Sequence, residues 1–472
     1  MPETRPAALW APRAWLPDGT GRGLWREQVL LRIGSDGRWS EVISGVDRPP
    51  AGAQVLAGPL LPGLVDAHSH AFQRAFAGLA ERRESATDDF WSWRDRMYRV
   101  ALRITPGELR DIAAQLYVEL LAGGYTQVCE FHYLQHDRDG RPYADPLELS
   151  WVLAEAAAQA GVGLTLLPVL YERAGFAQPA LRDDQRRFAL GAADVWRAAS
   201  SVNASGRRLL NAGLAIHSLR AATPASIDEL RRLAEGFDGP IHIHVAEQTA
   251  EVDECRATMG ARPIEWLAQQ RLLDGRWQLV HATHAVPAEI AAVARSGAGV
   301  VLCPTTEANL GDGLADLPGW LNAGVPLAIG SDSHASRDAL EELRWLDYGQ
   351  RLVLRRRNVS AAPAESLPST AERLFARVAN SGAAAGEPAW GLVPGARADA
   401  LAVDPRSPPL LGIAAERTLD ALVFSAPGGP FRDVMVAGRW ILRDGRHREA
   451  DAIARRFEAA MRSLWGDGAR AA

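Results

Sequence analysis

Between residues 60 and 330 the chain repeats one pattern, a short apolar run followed by a stretch of helical period. The apolar runs fall at 60–65, 127–131, 163–169, 214–217, 241–245, 278–281, 299–303 and 327–330, eight in all. Amphipathic stretches stand between or after them, at 105–122, 146–160, 184–199, 226–235, 287–294 and 338–354. Thr105-Pro-Gly-Glu108 opens the first with a capping-box pattern. Gly161 and Gly297 sit where a helix should hand over to a strand. Alternating strand and helix implies a parallel sheet. Eight such units predict an α/β fold, a closed (β/α)8 TIM-like barrel over residues 61–380. The rival is an open doubly wound sheet. As a dinucleotide binder it would carry a glycine-rich phosphate loop after its first strand, and none follows residue 65.

The chain ends read differently. Short strand-like runs at 29–33 and 39–43, and again at 399–403, 421–424, 433–436 and 439–442, are separated by turn-forming glycines and prolines. Residues 1–60 and 381–450 are therefore expected to pair into one small β-sandwich beside the barrel. A helix over 451–464 follows, within a terminal segment of 451–472. The total of 472 residues is enough for a large core and a smaller one.

Charge and cysteine content narrow the function classes. A net charge of −5 gives no general attraction to nucleic acid or to an anionic membrane. Cys129, Cys255 and Cys303 lack zinc-finger spacing and cannot make a disulfide framework, so they read as buried thiols without a role. The first residues carry no signal-peptide apolar region. The apolar stretch 152–170 is broken by Glu155, Gln159, Gly161 and Gly163, which excludes a membrane span there. A cytoplasmic protein with a small-molecule partner is expected. No lysine occurs, so all 52 basic residues are arginine and no lysine can act as ligand, base or Schiff-base former.

The histidines and acids gather at the C-terminal ends of the expected strands. His68 and His70 end the first, Glu130 and His132 the second, and His217 the fourth. His242 and His244 end the fifth, with Glu247 three residues on. His281 and His284 follow the sixth, and Asp332 and His334 the eighth. In a barrel that edge is where active sites are built. Residues two apart on a strand point to one side, so His68 and His70 converge. Random placement of 11 histidines in this length gives about 0.26 His-x-His pairs, whereas two occur here and both end apolar runs. Neutral imidazole and carboxylate suit zinc, with a coordination position left for water. A glutamate close by that is not itself a ligand can shuttle protons, and Glu247 is placed for that role.

In this arrangement of histidines and acids the chain resembles the amidohydrolase superfamily. The resemblance rests on His68-x-His70 after strand one, a histidine after strand five, another after strand six and an aspartate after strand eight. Many members bridge two metals with a carboxylated lysine. A chain without lysine is instead similar to the mononuclear deaminase branch. Finer signatures are Val65-Asp-Ala-His-Ser-His-Ala-Phe-Gln-Arg-Ala75, Phe90-Trp-Ser-Trp-Arg94, Glu130-Phe-His-Tyr133 and Ala215-Ile-His-Ser-Leu-Arg-Ala221. Others are His244-Val-Ala-Glu-Gln248, Cys303-Pro-Thr-Thr-Glu-Ala-Asn-Leu-Gly-Asp-Gly313 and Leu343-Arg-Trp-Leu-Asp-Tyr-Gly-Gln-Arg-Leu352. Together they resemble the formimidoylglutamate deiminases of bacterial histidine degradation. Nucleobase and homocysteine deaminases usually read Pro-x-Ser-Asn after strand seven. Here Glu307 takes the asparagine position.

The resemblance implies hydrolysis of N-formimino-L-glutamate to N-formyl-L-glutamate and ammonia. It implies that His68, His70, His244 and Asp332 hold one zinc ion, although iron and manganese can share such sites. Asp332 would also take the proton of the attacking water. Glu247 would hydrogen-bond the imino nitrogen and protonate the leaving ammonia. His281 would orient the water and stabilise the tetrahedral intermediate. His284, three residues on, competes for that part, but His281 ends the strand and matches the family position. Arginine binds carboxylates through its planar fork. Arg94 in the first loop and Arg220 after strand four are thus expected on the substrate's two carboxylates, with Gln73, Tyr133 and His217 adding hydrogen bonds. Trp91 and Trp93 are expected to pack that loop, His242 to be structural, and His334 to support Asp332. The roles of His132 and His136 stay open, as does the choice between formimino-glutamate and formimino-aspartate. A homodimer is expected. Two other readings stand beside this one. The first is a related deaminase or chlorohydrolase acting on a nucleobase, pterin or triazine. The second is a non-enzymatic barrel scaffold without ligands.

Overall fold

The computed structural model describes residues 5–19, 22–82 and 90–466, with side chains from residue 93 onward in the last of these. The Trp91 side chain and the tail 467–472 therefore lie outside what is described. Eight parallel strands close into a barrel: Leu64–Ser69, Tyr125–His132, Gly163–Leu170, Leu214–Ile216, Ile241–Val245, Trp277–His281, Gly299–Leu302 and Leu327–Ile329. The eighth pairs with the first through Ile329 and Asp66, which closes the ring. Every residue of the second and third strands is buried, as expected for strands covered by the barrel interior on one face and by helices on the other.

Local chemistry sets the handovers. Thr105 accepts from the Glu108 amide at 3.3 Å and the Glu108 carboxylate accepts from the Thr105 amide at 2.8 Å, the reciprocal cap expected for helix Pro106–Ala122. Helix Glu148–Ala160 ends at Gly161 with φ +79°, a left-handed conformation that glycine adopts without cost. The fourth strand is preceded by Leu210–Ala212, which pairs with the third strand in the same register on the other side of Gly213.

The ends of the chain meet in a second, nine-stranded sheet. Its order is Arg446–His447, Arg439–Arg443, Phe431–Val436, Ala400–Val403, Leu60–Pro62, Ala8–Pro17, Gly23–Ile33 and Trp39–Ile43, with Gln54–Val55 also beside Ala8–Pro17. It has its own core of Leu9, Leu31, Trp39, Leu60, Met435 and Trp440. Arg397 joins the sheet to the barrel. Buried, it pairs with Asp399 at 2.7 Å and donates to the Gln127 side chain at 2.7 Å and to the Thr126 carbonyl at 3.1 Å. Helix Ala450–Trp465 then returns to helix Pro106–Ala122 on the barrel.

Three expectations need correction. The apolar run 60–65 is two strands in two sheets, broken at Gly63. A Cβ there would lie 2.2 Å from the Thr126 hydroxyl, so the Thr126 side chain packs too close to the Gly63 backbone for a larger residue. The run 421–424 lies in a helix, Thr418–Ser425, because Leu419, Leu422 and Val423 bury a helical face. Arg94 stands on a helix, Phe90–Ala101, and not in a loop.

Candidate active site

The C-terminal ends of the strands converge on one cavity. His68 and His70 leave the first strand, His244 the fifth, His281 the sixth, and Asp332 follows the eighth. The His68 and His244 Nε2 atoms face each other at 2.9 Å. One Asp332 oxygen lies 3.5 Å from His68 Nε2 and 3.3 Å from His70 Nε2, and the other 3.9 Å from His281 Nε2. Backbone pairing holds the two segments together, because the Asp332 amide donates to the His68 carbonyl at 2.9 Å. Ala246, His281, Ala282, Asp332 and His334 all have φ between +45° and +70°. Non-glycine residues in this conformation are strained and persist only where surrounding structure holds them.

The donor set fits a metal ion. His70 Nδ1 lies 3.0 Å from the Phe131 carbonyl, which fixes its hydrogen there and leaves the Nε2 lone pair facing a carboxylate. A lone pair opposed to a carboxylate is repulsive unless a cation stands between them. Burial drives the pKa of His68 and His244 well below the ordinary value and that of His70 to about 3, so all three offer neutral nitrogens. His68, His70 and Asp332 form one ligand group, and His68, His244 and His281 another that shares His68.

Beside this cluster Glu247 lies 3.8 Å from His281 Nε2 and 3.5 Å from Arg220. Its loop is pinned by Glu251, which accepts from the amides of Ala246 at 3.2 Å and Glu247 at 3.0 Å. Burial raises the Glu247 pKa, with His281 and Arg220 pulling against it. Burial also opposes a charge on His281, yet Glu247, a bond to Glu307 and Asp332 together raise its pKa to about 10.

His70, Gln73, Arg94, Tyr133, His217, Arg220, His244, Glu247, His281 and Asp332 all line the same cavity, and His68 lies fully buried beside it. Gln73 donates to the Tyr133 hydroxyl at 3.0 Å. His284 lies beyond this wall, its amide bonded to the Ala246 carbonyl. His242 bonds the Ala384 carbonyl at 2.8 Å. His334 reaches the His70 carbonyl at 3.0 Å and the Ser331 hydroxyl at 3.2 Å, bracing the first and eighth strand ends. Trp93 lines the cavity, although the sequence pointed to loop packing for it.

A family model described as the amidohydrolase family matches residues 60–441. The chain belongs to the amidohydrolase family. Among curated amidohydrolase relatives, a formimidoylglutamate deiminase from Pseudomonas aeruginosa is 47% identical over 97% of this chain and 99% of its own. A crystal structure of an amidohydrolase from Brucella melitensis superposes with a TM-score of 0.91 at 40% identity, covering 97% of this chain and 100% of that one. An adenosine deaminase from Xanthomonas campestris, solved with bound zinc, shares the fold at a TM-score of 0.78 and 22% identity over 97% and 98% of the two chains. Among the described residues, no helix of this amidohydrolase is long and apolar enough to cross a membrane.

Several lining residues were not singled out from the sequence. Tyr98 and Met97 come from helix Phe90–Ala101, Tyr171 from just beyond the third strand, and Phe188 from the long connection after it. Only Tyr171 carried a signal, its place at a strand end. Asp312 joins the carboxylates near Glu247, and the Gln248 amide donates to it.

Proposed function

We propose that this chain hydrolyses N-formimino-L-glutamate to N-formyl-L-glutamate and ammonia. The observation that carries the reading is a single cavity lined both by an imidazole–carboxylate cluster and by two arginines, Arg94 and Arg220. The near-full-length similarity to a deiminase supports it.

In this reading His68, His70, His244 and Asp332 hold one zinc ion, and iron or manganese would suit the same nitrogen and oxygen donors. A divalent ion there would act as a Lewis acid and lower the pKa of a water molecule. With no lysine to bridge a second ion, the site is read as mononuclear. Asp332 spans the ligand cluster and His281 with its two oxygens, so it is placed to take the water's proton. Glu247, whose pKa burial raises against the pull of His281 and Arg220, is placed to donate a proton to the imino nitrogen so that ammonia leaves rather than an amide anion. His281 orients the attacking water, and its Nε2 points between Glu247 and Asp332, where an oxygen gains negative charge. Arg94 and Arg220 grip the two carboxylates, and Gln73, Tyr133 and His217 add hydrogen bonds.

A second reading, deamination or dechlorination of a heterocycle, draws on the aromatic walls Tyr98, Tyr133, Tyr171 and Phe188. Two arginines in the cavity and Glu307 weigh against it. Exposed Leu352 and Val353 at the end of helix Ala339–Leu354 support a homodimer as the working unit, which light scattering would test. The functional test is ammonia release by zinc-loaded protein from N-formimino-L-glutamate, N-formimino-L-aspartate and adenosine in parallel. Release from the glutamate compound alone is expected, and release from adenosine alone would overturn the reading.

A further inference from the structure

Behind the arginine end of the cavity lies a buried side chain that is bonded to two of the lining residues but does not itself line the cavity. Gln185 lies in the connection after the third strand, in the turn Asp183–Gln185, and is buried. Its amide makes three hydrogen bonds. The Oε1 atom accepts from the Arg182 backbone amide at 3.0 Å. The Nε2 atom donates to the Tyr171 hydroxyl at 2.8 Å and to the Tyr98 hydroxyl at 3.1 Å. Because a backbone N–H can only donate, Oε1 must face Arg182, and the amide cannot be turned the other way.

This fixes the polarity of both phenols. Each hydroxyl has one hydrogen, and each oxygen accepts from Gln185, so both hydrogens point away from the amide. Tyr98 and Tyr171 also interact with each other, which can use one hydrogen at most. At least one O–H is therefore not used within this trio, and both rings line the cavity with Arg94 and Arg220. The Arg94 guanidinium lies 5.5 Å from the Tyr98 ring centroid, so the hydroxyl donor and the cation belong to one subsite. The occupant such a subsite favours is an anion that accepts several hydrogen bonds. A buried pocket of this kind rejects a ligand that cannot match its donors.

We infer that Gln185 is a positioning residue that leaves at least one of the Tyr98 and Tyr171 hydroxyls as a hydrogen-bond donor for a substrate carboxylate, beside Arg94 and Arg220. The assignment rests on the deiminase reading for the identity of that carboxylate, but its test does not require turnover. The probe is glutarate, a dicarboxylate without the amidine, titrated calorimetrically into zinc-loaded protein. Gln185→Glu keeps the shape and still accepts from Arg182, but it draws the phenol hydrogens back toward itself. It should weaken glutarate binding at least about tenfold. The added charge could repel an anion by itself, so the substitution is repeated in a Tyr98→Phe/Tyr171→Phe background. There it should cost less than about threefold, because the donors it reorients are gone. Equal losses in both backgrounds would mean simple repulsion and would overturn the inference. So would unchanged glutarate affinity in the double phenylalanine variant, which needs no change at residue 185. In turnover of N-formimino-L-glutamate, KM should rise in Gln185→Glu relative to wild type while kcat stays within about twofold. Wild-type protein that binds glutarate but releases no ammonia from N-formimino-L-glutamate would sink the deiminase reading and leave the donor assignment standing.

Discussion

Glu247 sits where acid and base functions meet. It is close enough to His281 and Arg220 to be held by both, and burial favours its protonated form. Glu247→Gln keeps the volume but cannot deliver a proton. It should lower kcat by about 10²–10⁴-fold while metal content, read by atomic absorption, stays at wild-type level. Wild-type activity in this variant would remove Glu247 from the proton path. Arg94 is the complementary case, because it lines the same cavity and in the proposed function holds a carboxylate at the substrate's far end. Arg94→Met should raise KM by about tenfold or more with little change in kcat, the pattern of lost ground-state binding. The histidine pairs, Glu247 and Asp332 were legible in the sequence because each stands at or just past a strand end, where spacing translates directly into position. Gln185, Tyr98 and Phe188 were not. Tyr98 and Phe188 reach the cavity from a helix and an irregular connection, Gln185 stands behind Tyr98 and Tyr171, and no local pattern says which way those elements fold back.

At the scale of elements, the eight runs and the main helices were legible because continuous apolar stretches alternate with segments of helical period. The failures are physical. A four-residue apolar run fits a strand or one helical turn equally well, and at 421–424 packing of Leu419, Leu422 and Val423 decides for the helix. Strand Ala8–Pro17 was missed because its charged and proline residues blur the alternation. The run 60–65 was joined because nothing in the sequence tells where one sheet ends, whereas in the folded chain Thr126 crowds Gly63 and separates them. The sheet from the chain ends is fastened by Arg397, which bonds Asp399, Gln127 and Thr126 within a buried site. Arg397→Ala would leave Asp399 buried without its partner. It should destabilise the protein by about 3–5 kcal/mol, measured by urea unfolding. A loss under about 1 kcal/mol would mean that the sheet and barrel do not depend on that contact.

Over the whole molecule, burial of neutral histidines shapes the response to acid. Burial lowers the pKa of His132 to about 3, with Arg187 adding to the effect, and that of His334 to about 3. An unfolded chain protonates these groups below about pH 6.5, and the folded chain does so only near their lowered values. The unfolded state therefore binds more protons across that window, and stability must fall as pH drops from about 6.5 toward 3. Each such group steepens the fall by about 1.4 kcal/mol per pH unit. Metal-free His132→Gln should unfold with a shallower acid slope than metal-free wild type when the urea midpoint is followed by circular dichroism. An identical slope would mean that His132 titrates normally.

In the proposed function one cavity joins a metal-dependent hydrolytic cluster to a grip for two carboxylates. That function is tested most directly by ammonia release from N-formimino-L-glutamate and from N-propylformamidine, the same amidine without carboxylates, measured side by side with zinc-loaded and chelator-stripped protein. Release should require the metal, with a kcat/KM at least about 10³-fold higher for the dicarboxylate, since two charge-assisted contacts of about 2 kcal/mol each are lost with the carboxylates. Equal release from both amidines, or release that survives removal of the metal, would contradict that function.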